Sequence, residues 1–249
     1  MERPHHPGDT AWLRRFHHSE DPRGRVIVFP HAGGSAQFYR PLAGILSRNF
    51  DTLAVQYPHR LERLHEPAVT SVVELARHVA RAVPDDDLPI ILLGHSMGAL
   101  VAYEACLALP AGAPVAMLVA SASHAPAEAA GREVPQHDEE LLAELRTLGG
   151  THPHVWDKPE LVDLLLPTLR ADFAAVRAYG RAERIQLRCP ILALAGADDE
   201  RVRPDQARRW SSYTASAFRQ TVLPGGHFYL EHTAEEILRQ LLETESIWT

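Results

Sequence analysis

The sequence predicts an α/β domain: a mostly parallel central sheet with helices on both faces. Three observations carry that expectation. Apolar runs of strand length recur at 25–30, 50–57, 89–94, 115–120, 189–196 and 218–223, and helix-forming stretches separate them. Several of these runs are apolar throughout rather than alternating, the pattern of strands buried on both faces. The third observation is Gly94-His-Ser-Met-Gly98, which joins the 89–94 run directly to a helix-forming run at 99–109. A Gly-x-Ser-x-Gly between strand and helix is a turn so tight that the residues flanking the serine need almost no side chain. It holds the Ser96 hydroxyl out at the carboxyl end of the strand.

Taken in order, residues 1–11 are polar, with prolines and histidines, and read as a loose arm. Trp12 and Phe16 flank two arginines and read as an edge segment packing on the domain. The 25–30 run ends in His31-Ala-Gly-Gly-Ser35, and 38–46 follows as a helix. A glycine-rich turn after a strand lets backbone N–H groups face a ligand. The Lys-Ser/Thr ending of a phosphate loop is missing. Residues 50–57 form the next strand, 59–67 a charged loop, and 71–83 a helix with Val72, Leu75, Val79 and Val83 at helical spacing. The 115–120 run is another buried strand.

After Ala125 the alternation stops. Residues 126–187 hold no convincing strand but two helical stretches, 138–148 and 158–179, the second expected to kink or divide at Pro167. Leu161, Leu164, Leu165, Leu169, Phe173 and Val176 form an apolar stripe there. Such a stripe reads as core contact, or as a lid over an apolar channel near the catalytic edge. The strand ending at Gly196 carries Ala-Asp198-Asp199 at its carboxyl end and a helix at 204–213. The last strand ends in Pro224-Gly-Gly-His227, and a final helix spans 233–242 with Thr233 as N-cap and Glu236 three residues on. A single domain over 1–249 with a helical insertion at about 126–187 is the expected organisation.

Composition limits the function classes. A net charge of −7 argues against nucleic acid or an anionic membrane surface as partner. No apolar run approaches the ~20 residues of a membrane span, and the amino terminus lacks a signal-peptide core. Cys106 and Cys189 form neither a Cys-x-x-Cys pair nor a disulfide framework, which predicts a reducing, cytoplasmic setting with both thiols as small buried groups. Monomer is the default.

Three chemical candidates sit at strand ends in the order Ser96, Asp199, His227. A serine hydroxyl is a weak nucleophile and needs a base within hydrogen-bond reach. The base needs an acid to fix its tautomer and stabilise the imidazolium. Ser, Asp, His is the chain order of an α/β-hydrolase, and in open α/β sheets the carboxyl edge is where ligands bind. Of 15 histidines, His227 is the best placed, after a strand and two glycines. His232 lies in the start of the last helix, His95 points away from the nucleophile, and His31 borders the glycine turn. His152 and His154 lack a third metal ligand at suitable spacing. Asp198 and Asp199 compete as the acid, with Asp199 favoured.

Five stretches together resemble the type II thioesterases, stand-alone α/β-hydrolases that accompany polyketide synthases and nonribosomal peptide synthetases. They are Phe29-Pro-His-Ala-Gly-Gly34, Gly94-His-Ser-Met-Gly-Ala99, Leu166-Pro-Thr-Leu-Arg-Ala-Asp-Phe173, Gly196-Ala-Asp-Asp199 and Gly225-Gly-His227. The Asp-Asp pair is less typical of the family than a single spaced aspartate. The resemblance implies that Ser96 attacks an acyl thioester on the phosphopantetheine arm of an acyl or peptidyl carrier protein. It implies that His227 is the base, that Asp199 orients it, and that the backbone N–H groups of Ala32 and Met97 form the oxyanion hole. It implies no cofactor or metal, and a biological role in removing stalled or aberrant acyl groups. The arginines Arg14, Arg15, Arg60 and Arg63 are candidates for an acidic carrier's docking face. Other readings are a small-molecule esterase or lipase of the same fold, a chain-releasing thioesterase domain, disfavoured because the chain begins at Met1, and a binding module without catalysis.

Overall fold

In a computed structural model that describes residues 10–130, 134–150, 153–180 and 183–244, the apolar runs pair into one sheet. The strands are β1 (Leu13–Arg15), β2 (Arg25–Phe29), β3 (Asp51–Val55), β4 (Ile90–His95), β5 (Val115–Ser121), β6 (Ile191–Gly196) and β7 (Phe218–Leu223). Their order across the sheet is β1-β3-β2-β4-β5-β6-β7. Only β1 runs antiparallel among the described strands, pairing Leu13 with Val55 at one edge. The expected mostly parallel sheet is present, and Trp12 to Phe16 is its edge segment. Of the expected amino-terminal arm, residues 1–9 lie outside the described residues.

Side-chain alternation along the central strands explains why they read as apolar throughout. On β2, Ile27 and Phe29 point into one core and Val26 and Val28 into the other. On β4, Ile90 and Leu92 share the first core, Ile91 and Leu93 the second. Helices α2 (Val72–Ala82) and α3 (Met97–Ala108) cover the first face. Helices α1 (Arg40–Leu46) and α9 (Ala234–Glu243) cover the second. With both faces covered, a strand interior has no solvent side on which a polar residue would be stable. The edge strand β7 departs from this, with Val222 47% exposed.

Between β5 and β6 lie α4 (Pro126–Ala129), α5 (Asp138–Leu148), α6 (Pro153–Trp156) and α7 (Pro159–Ala178). Val134, Leu141, Leu145, Leu169 and Phe173 form a small core of their own. No helix among the described residues is long and apolar enough to cross a membrane.

Four expectations need correction. Helix α7 is not divided at Pro167 but runs through it. The missing N–H removes one hydrogen bond, while Thr168, Leu169 and Asp172 just beyond are fastened to the body of the protein. The 204–213 stretch is α8 (Pro204–Ala207) followed by a tighter 3-10 turn over Arg208–Tyr213, with Trp210 and Tyr213 buried. Thr233 precedes α9, but its hydroxyl does not cap that helix. It donates to the Tyr229 carbonyl at 3.0 Å, because the chain enters α9 from a 3-10 turn whose carbonyls are open. Glu236, expected to complete a cap, pairs with Arg239 instead.

The four arginines proposed for docking are engaged internally. Arg60 and Arg63 are buried, the first against Asp172 and the second against Glu66 and the Gln56 carbonyl. Arg14 pairs with Glu62 and Arg15 with Asp51.

Candidate active site

The site begins with the turn between β4 and α3. Ser96 has φ +54° and ψ −121°, a conformation that non-glycine residues rarely adopt. The packing around it enforces this. A Cβ on Gly98 would stand 2.0 Å from the Phe29 carbonyl oxygen, and one on Gly94 would stand 2.3 Å from the Gly98 carbonyl oxygen. The Ser96 N–H donates to the Ser121 carbonyl at 2.8 Å, tying the turn to β5. Strain held by the surrounding structure in this way presents the Ser96 hydroxyl at the sheet's carboxyl edge. Met97 is the first residue of α3, so its N–H is among the amides that have no acceptor inside the helix.

Asp199 follows β6 and His227 follows β7. Asp199 is buried, and its Oδ1 accepts the N–H groups of Arg201 at 2.9 Å and Val202 at 3.0 Å. Its Oδ2 lies 2.9 Å from His227 Nδ1. Asp198 is exposed, and its N–H donates to the Gly225 carbonyl. Of the two aspartates, only Asp199 reaches the histidine. His227 Nε2 is buried without a hydrogen-bond partner. Ser96 Oγ and His227 Nε2 form no hydrogen bond in this state, and catalytic bonds of this kind commonly tighten only with substrate in place.

Ser96, His227, Ala32 and Met97 share the wall of one cavity of about 70 Å³. The insertion closes it with Val134 and with Leu145 and Leu148 from α5 and Phe173 and Val176 from α7. Sites that enclose a drug-sized ligand usually measure ~300–1,000 Å³, so a long substrate needs these helices to move.

The other histidines divide by environment. His31 packs against the site, its ring 4.7 Å from that of Phe228, and its Nδ1 lies 2.7 Å from the Tyr39 hydroxyl. Burial, with the His227 ring and the Arg60 guanidinium nearby, pushes the His31 imidazole down to about 3. His95 points inward, its Nδ1 2.9 Å from Ser121 Oγ, which in turn contacts the Tyr229 hydroxyl. Burial holds its basicity far below the usual range, with His227 and His31 adding to the effect. Both are therefore neutral components of the wall. His232 is exposed, and His152 lies outside the described residues. No group of three or more potential metal ligands occurs among the described residues.

Sequence reasoning gave no role to three residues beside the site: Phe228, Asp172 and Arg60. Phe228 stands edge-on to both His31 and His227. Asp172 and Arg60 form a buried pair against the glycine turn. A signal for Asp172 was available, since a carboxylate flanked by Leu169, Phe173 and Val176 on an apolar stripe implies a buried partner.

Residues 24–244 match a family model described as a thioesterase domain. The chain is 38% identical over 246 residues to the phenyloxazoline synthase MbtB of Mycobacterium tuberculosis, covering 97% of this chain but only 17% of that much longer protein. It is 36% identical over 245 residues to the thioesterase PikA5 of Streptomyces venezuelae, covering 96% of this chain and 87% of the relative. Among solved structures, the type II thioesterase BorB from the borrelidin biosynthetic cluster superposes with a TM-score of 0.83 at 40% identity. That match covers 94% of this chain and 97% of BorB.

Proposed function

This chain belongs to the thioesterase family, whose members hydrolyse thioesters, and from that premise we propose that it removes acyl groups from the phosphopantetheine arm of carrier proteins. The carriers in view are those of polyketide and nonribosomal peptide assembly, and the groups removed are stalled or aberrant ones. The proposed organisation is a single α/β-hydrolase domain over residues 1–249, with 126–187 inserted as a lid.

The observation that carries the reading is His227. Its Nδ1 is held by Asp199 at 2.9 Å, and its buried, unpartnered Nε2 belongs to a ring that shares a cavity wall with Ser96. In the proposed reaction, Ser96 Oγ attacks the thioester carbonyl and His227 Nε2 takes the serine proton. The tetrahedral oxyanion is held by the N–H groups of Ala32 and Met97, each contributing ~3 kcal/mol of transition-state stabilisation. His227 then returns the proton to the departing thiolate. Water enters, His227 activates it, and the acyl-serine ester is hydrolysed. Asp199 keeps His227 in the tautomer with Nδ1 protonated and stabilises the imidazolium formed in each half-reaction. No step requires a cofactor.

The test is hydrolysis of acetyl- or propionyl-phosphopantetheinyl carrier protein, followed by intact-protein mass, with the Ser96→Ala variant in parallel. Return of the carrier to its free-thiol mass with the parent alone is the expected result. Survival of the acyl carrier while simple oxyesters are cleaved would place the protein among small-molecule esterases. Near-parent turnover by Ser96→Ala would move the nucleophile elsewhere.

A further inference from the structure

We infer that Asp172 and Arg60 are positioning residues that set the orientation of the Ala32 amide, so that helix α7 completes the oxyanion hole. This rests on the reading of Ala32 as an oxyanion donor. Ala32 has only a methyl group of its own, so the direction of its N–H is fixed by the peptides on either side. Residues 31–34 make a hydrogen-bonded turn, with the Gly34 N–H donating to the His31 carbonyl at 2.9 Å. Gly33, third in the turn, has φ +78°, the value a type II turn requires at that position. Type I and type II turns differ by a flip of the central peptide, here Ala32–Gly33, whose N–H belongs to Gly33.

That N–H is where α7 intervenes. Asp172 Oδ2 accepts it at 2.7 Å. After a flip the carboxylate would face the Ala32 carbonyl oxygen instead, so the charge selects one orientation. Arg60 holds the carboxylate from behind, with Nη2 donating to Oδ1 at 2.9 Å and Nη1 to Oδ2 at 3.0 Å. The same Nη1 donates to the Gly34 carbonyl at 2.7 Å. Both side chains are buried, the Asp172 side chain only 1% exposed. Two neighbours fix the helix at this level. Thr168 Oγ1 donates to the His59 carbonyl at 2.7 Å, and Leu169 presses so closely that a Cβ on Gly33 would stand 2.6 Å from its Cδ2. A buried ion pair adds little to stability over an apolar pair of equal volume. What this one does that an apolar pair would not is hold the turn's peptides.

The test uses two variants of the full chain. Arg60→Met/Asp172→Leu removes the pair without leaving a lone buried charge, and Asp172→Asn keeps the shape but not the charge. Each is compared with the parent in kcat and KM on an acyl thioester. Each is also compared in affinity for a trifluoromethyl ketone analogue, whose Ser96 adduct places an oxyanion in the hole. The expected result is a kcat roughly 10²-fold lower in the double variant and about 10-fold lower in Asp172→Asn. KM stays near the parent value, and analogue affinity falls in step with kcat. Parent-like kcat and analogue affinity in either folded variant overturns the inference, as does a loss carried by KM alone. Unfolding of both variants makes the pair a determinant of the fold only, and also overturns it. The thioesterase reading is judged separately, on the parent's turnover and its loss in Ser96→Ala. A parent that hydrolyses thioesters beside unaffected variants removes the inference and leaves that reading in place.

Discussion

At the scale of single residues, the two adjacent aspartates make a sharp comparison. Asp199→Asn would retain the shape of the site but remove the charge that orients His227. A loss of ~10⁴-fold in kcat is expected, with little change in melting temperature. Asp198→Asn, on an exposed side chain, leaves turnover near the parent value; equal losses in steady-state kinetics would count against the assignment. The neutral histidines give a pH prediction. In the unfolded chain His31 and His95 take up protons as the pH falls through about 6.5, whereas in the folded protein His31 does so only near 3 and His95 is likewise held far below the usual range. Stability is therefore complete above pH 6.5 and declines below it, by up to about 1.4 kcal/mol per pH unit for each histidine. Melting curves from pH 7 to pH 5 should fall accordingly, and the fall should be shallower in His31→Gln; a melting temperature independent of pH over that range would contradict it. Ser96, Asp199 and His227 were legible because each ends a strand, where sequence pattern is strongest. Arg60 was misread because its partner is 112 residues away and nothing local marks a buried guanidinium.

At the scale of elements, the turn at Ser96 tolerates no added carbon. Gly98→Ala would drive a Cβ into the Phe29 backbone, and loss of soluble folded protein is the expected outcome on expression. Gly112→Ala, with open space around it, should melt like the parent. Helix α7 makes the opposite case. Pro167 is exposed, and its ring costs the helix interior up to ~3 kcal/mol relative to alanine. Pro167→Ala should raise the melting temperature by several degrees. If the half of α7 before Pro167 must bend away to admit substrate, the same change should slow turnover of carrier-bound substrate. A stabilised variant with unchanged turnover would place the moving part elsewhere. The sequence pattern located α7 but not its continuity, because a proline's local effect does not reveal that Thr168, Leu169 and Asp172 fasten the next turn.

At the scale of the whole molecule, two large cores sandwich the sheet, and the insertion rests on a separate, much smaller one. Regions with few buried apolar contacts open at lower free energy than the global transition. Amides of α5 and the first half of α7 should therefore exchange with deuterium well before those of β2, β4 and β5. Equal protection would argue that the cavity admits substrate by another route. The sheet was legible from repeated apolar runs. The packing of the insertion was not, because an apolar stripe does not say which surface it meets. The strand order has a further consequence for how activity arises during folding. The nucleophile belongs to β4 near the middle of the sheet, whereas the acid and base follow β6 and β7, the outermost strands on one side. A chain that has assembled only its first five strands holds a strained serine with nothing to activate it. Non-local parallel pairings form slowly, so during refolding hydrolytic activity should return after the bulk of the sheet's circular dichroism, with β7 as the last gate to function.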